Sequence, residues 1–174
     1  MREQVSHYLD RARMAASAGT LGRVTHVEPI AEPLVRALER IHRDKGITIS
    51  MNVADGAKFQ GEKHDLEEML GNLLDNACKW CRKRVYLTVT IIPASQAAQS
   101  LKRLAIRVED DGPGVTPQER AKIGKRGLRL DETKPGTGLG LSIVGDLATS
   151  YRGGMRLDAS PHGGLLVLLD LPAA

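Results

Sequence analysis

The sequence predicts an α+β fold built as a two-layer sandwich. Three observations point there. Stretches with a helical apolar period alternate with stretches of period two, so helices and strands both form. Two pairs of strands read as hairpins, with helices between or over the strands. The chain has 174 residues, 41% of them hydrophobic, enough for one domain with a sizeable core. Aromatic residues are only 3%, so Leu, Ile, Val and Ala must build that core.

The elements follow in order. Residues 2–18 read as a helix with a thin apolar stripe (Val5, Tyr8, Leu9, Ala12, Ala15), suited to packing on something outside this chain. Residues 17–20, SAGT, end it. Residues 23–28 suit a short strand. Residues 29–45 form a helix in which Pro29 and Pro33 fall early enough to be tolerated. Its expected core face is Ile30, Leu34, Leu38 and Ile41, and Gly46 stops it. In ITISMNV (47–53), Ile47, Ile49, Met51 and Val53 share one face of a strand. AKFQG (57–61) offers a short companion. HDLEEMLGNLLDNACKW (64–80) is a helix, RVYLTVTII (84–92) a strand, and KRLAIRVED (102–110) its hairpin partner. Residues 112–137 are irregular, with a turn of helix around 117–122. Residues 138–152 are helical, and two last strands pair around residues 160–164. No repeat or low-complexity tract interrupts this order.

The totals narrow the function classes. Net charge is +4, a mild excess that permits anionic partners. Neither a dense basic run nor interleaved aromatics mark a nucleic-acid surface. No apolar run is long enough to span a membrane. The start, MREQVSHYLDRARM, is too polar for a secretory signal, so a cytoplasmic location is the expectation. The two cysteines, Cys78 and Cys81, close a helix. A redox CxxC usually opens one, and no second CxxC or spaced His pair completes a zinc site. Two packed thiols are the expectation.

Three stretches hold candidate chemistry. In RVEDDGPGV (107–115), strand parity puts Asp110 on the face of Leu104, Ile106 and Val108, while Asp111 points away. A carboxylate on the covered side needs a donor, and Gly112 and Gly114 let a flat ligand approach the backbone. On this stretch alone, a capped turn is the simpler reading. On the helix 64–80, Leu66, Met69, Leu70, Leu73, Leu74 and Ala77 form one stripe, and Glu68, Asn72, Asn76 and Lys79 another. Polar stripes are usually solvated faces, but Asn is a poor mid-helix residue. Carboxamide oxygens suit a hard cation such as Mg²⁺, a Glu one turn away can act as a base, and a Lys can meet phosphate. In KPGTGLGLSIV (134–144), Gly136, Gly138 and Gly140 lead into a helix, which leaves backbone N–H groups for an anion. Neither the dinucleotide-binding nor the P-loop spacing is present. The preceding basic stretch, with Arg120, Lys122, Lys125, Arg126, Arg129 and Lys134, suits a lid over a polyphosphate. Taken singly, those residues suit a charged surface loop.

Together, ExxxNLLDNACKW (68–80), DDGPG (110–114) and GTGLGL (136–141) resemble, in order and spacing, the N, G1 and G2 boxes of the GHKL ATP-binding superfamily. Within it the match is most similar to the catalytic domain of bacterial sensor histidine kinases of the PhoQ kind, over nearly the whole chain. The resemblance implies a mixed sheet covered on one face by helices. It implies ATP and Mg²⁺ as cofactors and transfer of the γ-phosphoryl group to a His. By the same resemblance, Asp110 would accept from the adenine amino group, with Gly112 and Gly114 admitting the base and Trp80 lying against it. Asp111 would be a solvent-facing bystander. Asn76 would bind Mg²⁺, Asn72 would sit beside it, Glu68 would hold the general-base position, and Lys79 would contact phosphate. Gly136, Gly138 and Gly140 would wrap the triphosphate, with Arg129 and Lys134 reaching it from the lid.

Two departures from the family pattern matter. The lid stretch KIGKRG (122–127) lacks the family's Phe motif. None of His7, His26, His42, His64 and His162 has the phospho-acceptor context. Residues 1–20 resemble the end of a dimerisation hairpin helix and its linker, and 21–174 the catalytic domain. The expectation is a mostly monomeric catalytic module whose acceptor hairpin lies elsewhere in a membrane-anchored homodimer that serves a response regulator. Other readings remain: a different GHKL enzyme (an ATPase or a protein-serine kinase), or a binding module in which nucleotide switches a protein contact. Nucleic-acid binding through the basic lid has little support.

Overall fold

The structure is a computed structural model and describes residues 23–97, 100–123 and 140–174. The expected helix 2–18 and most of the basic lid stretch lie outside the described residues. Strand β1 (Thr25–His26) pairs antiparallel with β3 (Lys58–Phe59) in a small separate ribbon. The main sheet has five strands in the order β2 (Thr48–Val53), β4 (Arg84–Ile92), β5 (Arg103–Asp110), β7 (Leu165–Pro172), β6 (Gly154–Ala159). Only β2 and β4 run parallel, and the other three pairings are antiparallel. A parallel pair needs a long crossover, and the helix α2 (Lys63–Trp80) supplies it. The sheet is therefore mixed, as the family resemblance implies.

Helices α1 (Glu28–Ile41), α2 and α4 (Gly140–Ser150) pack on one face of this sheet, and α3 (Pro117–Arg120) is a single turn. The alternation of period two explains which face they cover. Val85, Leu87 and Val89 of β4, Leu104, Ile106 and Val108 of β5, and Val167, Leu169 and Leu171 of β7 are all buried in one core. The six residues of the expected α2 stripe, Leu66 to Ala77, join them. Cys78 and Cys81 are buried free thiols, and Cys81 Sγ lies 3.4 Å from the Cys78 carbonyl oxygen. Burial, with a smaller contribution from Cys81, pushes the Cys78 thiol up to about 12. It therefore packs as a small apolar group and stays protonated at neutral pH.

The face of α1 differs from expectation. Ile30, Ala31, Val35 and Leu38 are buried, Leu34 only partly, and Ile41 is 70% exposed. Val27 sets this rotation. It is fully buried just before the helix, and its N–H donates to the Ala57 carbonyl at 3.0 Å. Ala31 and Val35 continue its row at i+4 and i+8. The helix ends at Ile41, and Lys45 in the following 3₁₀ turn (Arg43–Lys45) reaches back to α2. Its Nζ donates to the carbonyl oxygens of Cys78 at 2.9 Å and Lys79 at 3.0 Å. A cation on the last carbonyls of a helix satisfies groups left without intrahelical partners and complements the dipole.

Candidate functional site

The candidate residues meet where the C-terminal end of β5 faces the outer flank of α2 and the start of α4. Asp110 ends β5 in phase with Leu104, Ile106 and Val108 and is only 3% exposed. Its Oδ1 accepts from Gly112 N–H at 2.8 Å, and its Oδ2 from Leu165 N–H at a long 3.4 Å. Desolvation raises the carboxyl above its ordinary value. The Gly112 and Leu165 N–H groups oppose that, and neighbouring Asp111 adds to it. A buried carboxylate with two oxygens has room for a further donor, and an exocyclic amino group is one.

The glycines around Asp110 are there for close approach. A Cβ on Gly112 would lie 2.3 Å from the Trp80 carbonyl oxygen and 2.8 Å from Asp110 Oδ1. The end of α2 and the turn after β5 therefore touch through bare backbone. Gly114 has φ +74°, a left-handed conformation that favours glycine, and its missing Cβ would sit 2.8 Å from the Gly163 carbonyl oxygen. Gly164, in the turn between β6 and β7, is tighter still: a Cβ there would meet Asp110 Oδ1 at 1.9 Å. Its N–H donates to the Asp110 carbonyl oxygen at 3.1 Å. The sequence marks Gly163 and Gly164 only as part of a turn. The Gly-Gly pair was the available signal, but nothing local says that Gly164 presses on residue 110.

Asp111 is not a bystander. Its Oδ1 accepts from the backbone N–H groups of Arg82 at 2.8 Å, Lys83 at 3.1 Å and Arg84 at 3.1 Å. It clamps the turn that carries the chain from α2 into β4. Desolvation would raise its carboxyl, but the Arg84, Lys83 and Arg82 amides together outweigh that and hold it below the ordinary range.

On α2, Glu68, Asn72, Asn76, Lys79 and Trp80 are all partly buried, and none belongs to the buried apolar stripe. Asn72 Nδ2 donates to the Glu68 carbonyl at 2.8 Å. That bond turns Asn72 Oδ1 toward α4, where a Cβ on Gly140 would lie 3.1 Å from it. A carboxamide oxygen and the N-terminal end of a helix thus face one another, a pairing of hard donor and anion-favouring dipole that suits a Mg²⁺–phosphate group. Glu68 Oε2 is 3.9 Å from His64 Nε2 one turn back. Lys79 Nζ is 2.7 Å from Asp75 Oδ2, and Asp75 Oδ1 is 3.2 Å from His42 Nε2 of the turn after α1. The Asp75–His42 support of Lys79 has no signal in the sequence, because His42 lies 33 residues from Asp75. Arg129, Lys134, Gly136 and Gly138 lie outside the described residues. The contacts described form two groups along α2: Asp110, Gly112 and Gly114 by the Trp80 backbone at its C-terminal end, and Asn72 facing Gly140 about two turns back.

Comparison with known proteins places this arrangement. Residues 61–174 match the family of histidine kinase-, DNA gyrase B- and HSP90-like ATPases. The chain is 37% identical over 163 residues to the virulence sensor histidine kinase PhoQ of Salmonella typhimurium, covering 93% of this chain and 32% of that protein. It matches the sensor protein PhoQ of Escherichia coli K12 at the same identity and coverage. The chain therefore spans about a third of the length of these curated relatives. Among solved structures, the mycobacterial sensor histidine kinase MprB superposes with a TM-score of 0.73 at 26% identity, covering 87% of this chain and 97% of that one. Full-length ShkA in complex with AMPPNP superposes with a TM-score of 0.73 at 25% identity, covering 99% of this chain and 37% of that one. The chain belongs to the histidine kinase-, DNA gyrase B- and HSP90-like ATPase family, as an ATP-binding domain of the sensor histidine kinase type.

Proposed function

We propose that this domain binds Mg-ATP between α2, the β5 end and the start of α4, and passes the γ-phosphoryl group to a histidine on a dimerisation hairpin. The observation that carries this reading is Asp110: a buried carboxylate at a strand end, with bare glycine backbone around it and the C-terminal end of α2 beside it. A flat base with an amino edge supplies the donor that this carboxylate can still accept. Trp80 at the end of α2 offers a face for the ring. Asn76 and Asn72 would hold Mg²⁺, which when bound neutralises charge on the phosphates. Lys79 has three donors and can meet phosphate while keeping Asp75. Gly140, with Gly136 and Gly138, would offer backbone N–H groups to the triphosphate, and Arg129 and Lys134 would reach it from the lid. Glu68 takes the general-base position, polarising the incoming imidazole. Transfer of this kind rests on positioning and charge neutralisation.

We further infer that residues 1–20 end the hairpin helix and that 21–174 form the catalytic unit. That unit would face the cytoplasm and serve a response regulator's receiver domain. Among the described residues no helix is long and apolar enough to cross a membrane.

The test is an ATP titration with and without Mg²⁺, followed by Trp80 fluorescence, for the wild type, Asn76→Ala and Asp110→Asn. Binding that Mg²⁺ tightens and both substitutions largely abolish is expected. A folded wild-type protein that binds no nucleotide, by fluorescence or calorimetry, would overturn the reading. Adding a hairpin that carries an acceptor histidine then separates a kinase from a nucleotide-switched binding module. Labelled phosphate should move to the hairpin from the γ position alone.

A further inference from the structure

The turn that leads into the Leu165 donor of the Asp110 carboxylate is itself held on the opposite face of the sheet, by residues outside the α2–α4 layer. Tyr86 lies on β4, paired in register with Glu109, the residue before Asp110. It projects from the face away from the helices, since its neighbours Val85 and Leu87 are buried in the core. The His162 ring stacks on Tyr86, with centroids 3.9 Å apart and planes 14° from parallel. His162 belongs to the five-residue turn 160–164. That turn is closed by Ser160 N–H on the Gly164 carbonyl at 2.8 Å and Gly163 N–H on the Ser160 carbonyl at 3.0 Å. His162 N–H also donates to Ser160 Oγ at 3.0 Å. The same turn delivers Gly164 against the Asp110 carboxylate and leads into the Leu165 N–H that Oδ2 accepts.

We propose that the Tyr86–His162 stack is a positioning device for Asp110, and through it sets how strictly the site requires the amino group of adenine. The stack ties the turn to the open face of the sheet one rung from Asp110, while Gly164 and Leu165 tie the other side of the same turn to its carboxylate. With no side chain at residue 164 to take up slack, movement of the turn passes directly to the carboxylate oxygens. Tyr86 and His162 stack on the sheet face opposite the one that carries Asp110 and act only through it. The inference rests on the reading of Asp110 as the adenine acceptor.

The experiment compares ATP with inosine triphosphate, which lacks the 6-amino group, by calorimetry on wild type, Tyr86→Phe, Tyr86→Ala, His162→Ala and Asp110→Asn. Wild type should prefer ATP. Aromatic stacking contributes about 0.5–1.5 kcal/mol, so Tyr86→Ala and His162→Ala should each weaken ATP by about twofold to tenfold. Inosine triphosphate should change little, so the preference shrinks. Tyr86→Phe keeps a ring and should keep the preference. A generally loosened domain would instead weaken both nucleotides alike, and that result overturns the proposal. So does an unchanged preference in both alanine variants. If Asp110→Asn keeps the wild-type preference, the assignment of Asp110 fails and the positioning role falls with it. That outcome is distinct, because it appears in a variant that leaves the stack intact.

Discussion

Gly164→Ala tests the site most sharply, because its effect is almost purely steric. The Gly164 backbone is not in the left-handed region, so alanine carries no conformational penalty there. The new Cβ would, however, lie 1.9 Å from Asp110 Oδ1 and 2.4 Å from the Asp110 carbonyl oxygen. An ordinary carbon–oxygen contact is about 3.3 Å, so turn and carboxylate must part by roughly 1.4 Å. One of the two obstructing atoms is backbone, which cannot rotate away. Overpacking of this kind costs about 1–3 kcal/mol, offset by about 0.4–1 kcal/mol from the stiffer unfolded chain. A net loss of about 1–2 kcal/mol is expected. The ligand effect is larger. Hydrogen bonds to charged groups contribute about 1.5–3 kcal/mol, and a shift of this size would break the one proposed between Asp110 and adenine, so ATP should weaken by about tenfold to a hundredfold. Urea unfolding followed in parallel with ATP titration measures both. Stability and affinity both unchanged within error would refute the close approach of Gly164 to Asp110.

Two further predictions concern residues outside the ligand's reach. Asp111→Ala should lower stability by about 1 kcal/mol at neutral pH, a capping-sized effect reduced by solvent exposure, with ATP affinity nearly unchanged. Because the folded carboxyl sits below the ordinary value of 3.8, its contribution is present above that pH and is lost as pH falls through the folded value. Melting curves of mutant and wild type should therefore converge in acid. Tyr151→Phe removes a hydroxyl that donates to Asp65 Oδ2 at 2.5 Å and accepts from Glu62 N–H at 3.2 Å, at the N-terminal end of α2. The expected cost is about 1–2 kcal/mol, read by urea denaturation.

The sequence makes local pattern legible, but not what the pattern meets. The α2 stripe was readable because six apolar residues repeat at helical spacing over about three turns, and all six are buried. The direction of Asp110 was readable from strand parity alone. The rotation of α1 was not, because Leu34 and Ala31 satisfy the same period equally well. The choice between them rests on Val27, which is anchored by Ala57 thirty residues on. The same limit explains Asp111. A charge one residue past a strand end looks solvated unless one knows that the α2–β4 turn brings three N–H groups to it. Gly164 and the Tyr86–His162 stack depend on β7 lying beside β5, a pairing fixed by tertiary packing rather than by either strand's own residues.

The two amides on the Asp110 carboxylate come from very different places in the chain. Gly112 is two residues away and Leu165 is fifty-five. A chain folded only as far as the β4–β5 hairpin has the carboxylate and the nearer donor but nothing to seat the far side of the base. Nucleotide therefore has little to bind in a partly assembled sheet, and its binding free energy goes to the fully closed one. Mass action then penalises intermediates along with the unfolded chain. In saturating ATP the domain should lose its structure in a single step even where the free protein shows the β6–β7 hairpin opening first.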